Sequence, residues 1–426
     1  MRRFLPLLLA CAASAQVLVL NDANLIDGTG APARAHMRIV IRDGRIATVE
    51  DAAAGALPAG AEVRDLKGMT VLPGLFDAHV HLTSGPGNQD AIAKTLRFGL
   101  MGGVTSVRDM GGDDIVLAEL AKKAADPKEA APRIYYSTLV AGPKWFNDPR
   151  PKASSHGGVA GEVAWMRAIT PESDFAAVIT AGKATGATGL KIYADLDAKT
   201  VLKITAAAHE QGLKVWAHAA VFPAKPSEVV AAKVDVISHS VYLGAEGTDP
   251  PVESYEAARR GQGIDYAKSP VNGKTMTVVL RLMEDMHTIL DETLFVTNAG
   301  KRSEDDPVWT WTVAITRRAA HDGIPLAAGT DSFGNPNRDG VPNIHREMEL
   351  LVDKAGLTPI EAIHAATFNG ARTVGAEKDY GTVEAGKVAD LVILRDDPSS
   401  DIKRTRDIDS VIKGGVTYRP AAANSK

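Results

Sequence analysis

Short apolar runs, separated by polar and glycine-containing segments, recur along this chain. Runs of this length are typical of strands that are buried on both faces of a sheet. Eight such strands are predicted, at residues 75–82, 104–109, 133–140, 188–193, 213–218, 234–239, 289–296 and 324–331. Several of these runs end in one polar side chain, so polar groups should gather where the strands end.

Helix-like stretches lie between these runs. Examples are Ala198 to Gln211, which Gly212 would terminate, Ser227 to Ala232, and Trp309 to His321. Strands that alternate with helices form parallel sheets, and eight units of this kind close into a (β/α)8 TIM barrel. The sequence therefore predicts an α/β barrel whose active site lies at the carboxyl ends of its strands.

The two ends of the chain have a different pattern. Residues 15–49 alternate apolar and polar positions around the turn signals Asp27-Gly28 and Asp43-Gly44, and 389–394 and 411–418 have the same character. These strands cannot bury both faces alone. We therefore expect 16–74 and 376–426 to form one composite β-sandwich beside a barrel of residues 75–375.

The first 15 residues are predicted to be an export signal. Arg2 and Arg3 precede an apolar run that is too short to span a bilayer, and Ala13-Ser14-Ala15 has the form of a cleavage site. Export to the periplasm also suits a chain whose single cysteine, Cys11, lies within this signal. The alternative is a lipoprotein signal that anchors the protein through Cys11.

Composition is that of a globular enzyme. The chain has 426 residues, 45% of them hydrophobic, with 48 basic and 52 acidic side chains. No basic patch indicates a nucleic acid partner, and no segment after the signal is apolar enough to be an integral membrane span. A homo-oligomer is compatible with the sequence.

The first barrel run ends in two histidines, His79 and His81. Side chains two residues apart on a strand point to the same face, about 6.6 Å apart along the strand, so both could bind one metal ion. A pair of structural histidines is the alternative. Polar residues at the ends of later runs favour a metal site, namely Lys191, His218, His239 and Asp331.

The chain resembles the metal-dependent amidohydrolase superfamily over nearly its whole length. The resemblance is carried by the Pro73-Gly-Leu-Phe-Asp-Ala-His-Val-His81 opening, the strand-end residues, Gly329-Thr-Asp-Ser332, and the segments 358–372 and 381–394. It is strongest to the imidazolonepropionase-like and prolidase-like binuclear branch, which includes Xaa-Pro dipeptidases and ochratoxinase-like amidases. The resemblance implies a TIM barrel with a small β domain and a hydrolase with two metal ions.

Ligand counting assigns His79, His81 and Asp331 to one divalent ion, and His218 and His239 to a second, each short of four ligands. The resemblance implies that Lys191 has reacted with carbon dioxide and that its carbamate, with a hydroxide, bridges the ions. Zinc is the expected metal. The alternative for Lys191 is a structural lysine that reaches solvent.

Two residues are expected to act in catalysis. Asp331 would take the proton from the bridging hydroxide and pass it to the leaving amine, whereas a structural Asp331 would cap the following turn. Tyr193 lies two residues after Lys191 on the same strand face, so its hydroxyl could stabilise the developing oxyanion.

His156, in the glycine-rich segment 154–158, resembles the substrate-facing histidine of dipeptidase-like relatives, although Ser155 departs from the family's glycine. A solvated loop histidine is the alternative. Two long loops, 141–162 and 243–274, should determine specificity, and a loop arginine could bind a carboxylate.

These observations predict an exported hydrolase that uses a metal-bridging hydroxide to cleave the amide bond of dipeptides or N-acyl amino acids. The alternatives are ester, lactone or phosphotriester hydrolysis at the same site. A non-catalytic exported binding protein is disfavoured, because binding alone does not need the full ligand set.

Overall fold

Seven parallel strands form most of a barrel in the computed structural model, which describes residues 17–83, 89–260, 263–298 and 302–420. The predicted signal, 1–15 with Cys11, lies outside these residues. In the described ranges the strands are β1 (Val17–Leu25), β2 (Arg34–Arg42), β3 (Arg45–Asp51), β4 (Glu62–Asp65), β5 (Thr70–Pro73), β6 (Leu75–Val80), β7 (Val104–Asp109), β8 (Arg133–Ala141), β9 (Glu162–Val163), β10 (Met166–Ala168), β11 (Gly189–Ile192), β12 (Lys214–His218), β13 (Val236–Ser238), β14 (Ile289–Asp291), β15 (Leu391–Leu394), β16 (Ile408–Lys413) and β17 (Val416–Tyr418).

The helices of the same ranges are α1 (Gln89–Met101), α2 (Asp114–Ala124), α3 (Arg150–Ala153), α4 (Phe175–Lys183), α5 (Ala198–Glu210), α6 (Pro226–Ala231), α7 (Tyr255–Arg259), α8 (Lys274–Met286), α9 (Leu294–Thr297), α10 (Pro307–His321), α11 (Ile344–Asp353), α12 (Pro359–His364) and α13 (Gly370–Thr373). Aspartates begin several of them: Asp197 accepts from the Thr200 amide at 2.7 Å and Asp306 from the Val308 amide at 2.9 Å. Such caps satisfy the unpaired amides of a first helical turn. None of the helices in the described ranges has the length and apolar character needed to cross a membrane.

The barrel strands pair in the order β6, β7, β8, β11, β12, β13 and β14, all parallel. Residues 324–331 close the gap between the last strand and the first. The Ala327 amide donates to Leu290 O at 2.9 Å, and the Asp331 amide donates to His79 O at 2.8 Å. The predicted TIM barrel is confirmed.

Two of the predicted strands are shorter than expected. Residues 324–331 make only one bridge, from Leu326 to Leu290, although they occupy the position of the eighth strand. The seventh strand ends at Asp291 instead of residue 296. Thr293 has a positive φ of 51°, which turns the chain into the helix α9. The carboxylate of Glu347 accepts from the Leu294 amide at 2.7 Å and stabilises that helix start.

Strands from both chain ends form a second sheet, with the order β17, β16, β15, β5, β1, β2 and β3, and with β4 paired to β1. The composite β domain is therefore confirmed. Asp43 and Gly44 form the two-residue turn between β2 and β3, and both have positive φ (49° and 75°), as this hairpin type requires. Alternation along β15 places Leu391 and Ile393 in the core of this sheet, and Val392 in the core of the barrel.

Lys413 links the β domain to the barrel domain. It is fully buried on β16, and its Nζ donates to three backbone carbonyls at the end of α2 and in the loop after it, those of Ala124 at 2.6 Å, Asp126 at 3.0 Å and Glu129 at 3.1 Å. A buried ammonium is tolerated because these carbonyls replace its water.

Lys413→Met should lower the free energy of unfolding by about 1.5–3 kcal/mol, the range for hydrogen bonds to a charged group. The change keeps the apolar stem but leaves the three carbonyls without their donor. Urea unfolding measures the loss, and Lys403→Met, at an exposed position in Ile402–Arg406, is the control. Equal stability of the two variants would contradict the account of this link.

Candidate active site

The predicted metal ligands meet at one rim of the barrel, because the carboxyl ends of parallel strands lie side by side. His79 lies on β6 with His81 just beyond it, and Asp331 ends the closing segment. The other three ligands follow the same rule, with Lys191 on β11, His218 at the end of β12, and His239 directly after β13.

Three of these side chains form a compact group. One ligand atom from each of His79, His81 and Asp331 lies within 4.8 Å of those of the other two. Asp331 Oδ1 is 3.3 Å from His81 Nε2 and 3.7 Å from His79 Nε2. Asp331 has a positive φ of 49°, a strained conformation held by its amide hydrogen bond to His79 O.

The remaining ligands continue from this group. The ring of His239 is 4.8 Å, centroid to centroid, from the rings of both His79 and His218. Lys191 is fully buried, and its Nζ has no hydrogen-bond partner among the described residues. Since buried polar groups are nearly always paired, this nitrogen indicates a missing partner.

Hydrogen bonds determine which nitrogen of each histidine faces the rim. His79 Nδ1 lies 2.6 Å from the Asp291 carboxylate, and His81 Nδ1 lies 3.0 Å from Gly111 O. Both partners only accept, so Nδ1 carries the proton and Nε2 offers a lone pair. His239 Nδ1 is likewise bound, 2.8 Å from Thr293 Oγ1. His218 differs, because its buried Nδ1 has no hydrogen-bond partner in the described chain.

Burial keeps His79, His218 and His239 uncharged. It lowers the pKa of His239 to about 3 and that of His218 well below its ordinary value, with nearby basic groups adding to the effect. Burial and the Arg108 charge lower the pKa of Lys191 to about 7. Burial alone would raise the pKa of Asp331, but the adjacent His79 and His81 outweigh it and hold this pKa below its ordinary range. Burial alone would likewise lower the pKa of His81, but Asp331 and Asp109 outweigh it and raise this pKa. The rim thus combines neutral His79, His218 and His239 with an ionised carboxylate.

This donor set fits divalent transition metals. Imidazole nitrogen and carboxylate oxygen are the usual ligands of zinc and its neighbours, and metal binding requires the imidazoles to be neutral. The buried Lys191 Nζ and His218 Nδ1 agree with this interpretation, because neither has a hydrogen-bond partner in the part of the chain that the structure describes.

Asp291 supports the rim from below, and sequence analysis missed it. This fully buried carboxylate on β14 accepts from Arg108 Nη2 at 2.8 Å and from Ser238 Oγ at 2.8 Å, besides contacting His79. Its position at the end of an apolar run was a usable signal. The predicted strand extended beyond it, which obscured that signal.

A cavity of about 560 Å³ opens above the rim and reaches His81, His239 and Asp331. Tyr193 lines it as predicted, with its ring 4.3 Å from that of His218. Burial, together with Tyr255, raises the pKa of Tyr193 well above its ordinary value. Its hydroxyl therefore stays protonated and can donate a hydrogen bond.

The two long loops supply the outer wall of the cavity, with residues that sequence analysis did not assign. Tyr255 stacks on His218 with ring centroids 5.1 Å apart and planes inclined by 16°. Tyr242 lies 5.7 Å from the same ring, and Arg150 lies 5.7 Å over the ring of Tyr255. No periodic pattern identifies such residues, because loop conformation brings them to the site.

His156 does not line this cavity. Its side chain is about half exposed, and its Nδ1 lies 2.7 Å from Asp113 Oδ2. Asp113 also begins α2, so the pair connects the 141–162 loop to a barrel helix. Ser154, two residues earlier, does line the cavity. A substrate contact of His156 stays a prediction.

Comparison with known proteins agrees with the fold. The sequence model of the amidohydrolase family matches residues 70–417. This range contains every predicted metal ligand.

Individual relatives cover nearly the full length. Ochratoxinase of Aspergillus niger is 24% identical over 445 aligned residues, 97% of this chain and 89% of the relative. Enamidase of Eubacterium barkeri is 28% identical over 395 residues, which cover 89% of this chain and 86% of the relative. The crystal structure of a Xaa-Pro dipeptidase with bound methionine superposes with a TM-score of 0.73 at 22% identity, covering 95% of this chain and 100% of that one, which shows the shared fold.

Asp291→Asn should lower the free energy of unfolding by about 3–5 kcal/mol at pH 7, because Arg108 would keep a buried charge without its counter-ion. Ser238→Ala, which removes one neutral donor, should cost only about 1 kcal/mol. Urea unfolding at several pH values measures both losses.

The unfolding free energy lost in Asp291→Asn should also depend on pH. Burial alone would raise the pKa of Asp291, but the hydrogen bond from His79 and the charge of Arg108 lower it below its ordinary value. Its stabilising effect is therefore complete above about pH 4, the unfolded value, and fades as the pH falls through the folded pKa. A difference between wild type and Asp291→Asn that grows in acid would contradict this explanation.

Proposed function

This chain belongs to the amidohydrolase family, and from that premise we propose that it is a binuclear-metal hydrolase that cleaves an amide bond between an acyl group and an amino acid. The carrying observation is the rim itself, where four histidines, an ionised Asp331 and a buried Lys191 that has no hydrogen-bond partner among the described residues converge. The names of two relatives, enamidase and Xaa-Pro dipeptidase, support an amide substrate.

In this proposal His79, His81 and Asp331 hold one divalent ion, and His218 and His239 hold a second. Zinc is the proposed metal, because imidazole and carboxylate are its usual ligands. When bound, the two ions would lower the pKa of a water molecule and polarise the substrate carbonyl.

Lys191 is proposed to carry a carbamate. Burial and Arg108 lower the pKa of its amine to about 7, so a large share is neutral and nucleophilic near neutral pH. The nitrogen attacks the carbon of carbon dioxide and releases a proton, which converts a repelling ammonium into an anion with two oxygen donors. Because Lys191 is fully buried, the carbamate would be shielded from bulk water.

Asp331 is proposed to move the proton. Its carboxylate stays ionised because His79 and His81 lie beside it, so it can accept a proton from the attacking water. The same group then delivers this proton to the amine that leaves. General acid–base transfer of this kind typically contributes 10²–10⁴-fold.

Tyr193 is proposed to stabilise the oxyanion that forms at the carbonyl, since it lines the cavity, its ring lies beside His218 and its hydroxyl stays protonated. His156 is proposed as a second substrate contact from the loop that contains Ser154. Export to the periplasm is a further proposal, which rests on the first 15 residues alone.

Lys191→Ala should retain about one divalent ion per chain, compared with two in the wild type, when metal content is measured on purified protein. Short carboxylic acids should restore part of the second ion, because they replace the carbamate oxygens. Lys199→Ala, on the outer face of α5, is the control. Full metal content in Lys191→Ala would show that this lysine holds no metal.

Asp331→Asn should fold and still hydrolyse an amide at least about 10²-fold more slowly than wild type, because the amide side chain cannot accept the proton. The loss should be smaller for an activated ester of the same acyl group, whose leaving group departs without protonation. Steady-state rates on the matched amide and ester test this. Equal losses on both would indicate that Asp331 acts only as a metal ligand.

A further inference from the structure

Basic side chains dominate the outer cavity. Arg150, Arg259 and Arg302 line it, whereas Asp331 is its only acidic lining residue among those the structure describes. The segments outside the described ranges add no acid nearby, because 84–88, 261–262 and 299–301 contain no Asp or Glu. An anionic substrate is therefore favoured at the entrance.

Arg150 and Arg259 share one counter-ion. Asp148 accepts from Arg150 Nε at 2.9 Å and Nη2 at 2.8 Å, and its Oδ2 lies 3.8 Å from Arg259 Nη1. Two guanidinium groups against one carboxylate leave one positive charge. A guanidinium has five N–H donors, so this pair can bind a second carboxylate.

Arg150 lies close to the rim. Its guanidinium is 5.7 Å over the ring of Tyr255, and that ring stacks at 5.1 Å on His218. One aromatic ring thus separates the Arg150 guanidinium from a candidate metal ligand. In an N-acyl amino acid only the α-carbon separates the amide nitrogen from the carboxylate, so the groups that the rim and the arginines would bind are neighbours in one substrate.

Apart from Arg302, the rest of the wall is formed by aromatic, aliphatic and small side chains. Besides Tyr193 and Tyr255, the rings of Trp145, Tyr242 and Tyr266 line the cavity. Such a wall suits an apolar or aromatic acyl group. It offers no anion to a free amino group, because Asp331 is engaged by His79 and His81.

We propose that Arg150 and Arg259 bind the carboxylate of the leaving amino acid, and that the cavity selects N-acyl amino acids over dipeptides with a free amino group. The inference rests on the proposed amide hydrolysis. It adds the substrate class and two specificity-determining residues.

Binding of an analogue that cannot be hydrolysed tests the arginine pair. N-phenylsulfonyl-L-phenylalanine should bind the metal-containing protein more tightly than its carboxamide, as measured by calorimetry. Arg259→Gln and Arg150→Gln should each weaken binding of the acid by about ten- to hundredfold, the effect of losing hydrogen bonds to a charged group, and leave the carboxamide unchanged. Arg281→Gln, exposed on α8, is the matched control.

Selection of the acyl group is tested by hydrolysis. N-benzoyl-L-phenylalanine should have a kcat/KM at least about tenfold above that of L-phenylalanyl-L-phenylalanine. Equal binding of acid and carboxamide, wild-type affinity in both arginine variants, or equal hydrolysis of the two substrates would overturn the inference. If the acid binds through the arginines but no amide is hydrolysed, the carboxylate site stands and the proposed function fails.

Discussion

Burial at the barrel rim is the constraint on which this site depends. Removing Lys191, His218 and His239 from water favours their neutral forms, and only neutral amines and imidazoles have the lone pairs that metals and carbon dioxide require. Below the rim, the Asp291 carboxylate accepts a hydrogen bond from His79 Nδ1 and neutralises Arg108. His79 therefore keeps its proton on Nδ1 and presents Nε2 to the proposed metal site.

Much of the rim could be predicted from sequence, because its residues lie at the carboxyl ends of parallel strands. The two-residue period of a strand relates His79 to His81 and Lys191 to Tyr193, and barrel closure brings the other strand ends beside them. Partners that depend on pairing between distant elements could not be read in this way. The contact of Asp291 with His79 joins the seventh strand to the first strand, which are far apart in the sequence. Loop conformation alone brings Arg150 near Tyr255.

The fold likewise combines elements that follow from local sequence pattern with elements that depend on distant contacts. The short apolar runs correspond to barrel strands. The ends of the seventh and eighth strands, however, depend on tertiary contacts. A left-handed Thr293 and the Glu347 carboxylate turn residues 294–297 into a helix, although their apolar composition favours a strand. The closing segment pairs too briefly to count as a strand. It nevertheless positions Asp331 through one hydrogen bond to His79.

The central claim is that one rim holds two metal ions bridged through Lys191. Anomalous diffraction at the zinc edge, from crystals of zinc-loaded protein, tests it most directly. The account predicts two anomalous peaks, one beside His79 and His81 and the other beside His218 and His239, with additional electron density on Lys191 Nζ. A single peak at His79, His81 and Asp331, with an unmodified lysine, would contradict it.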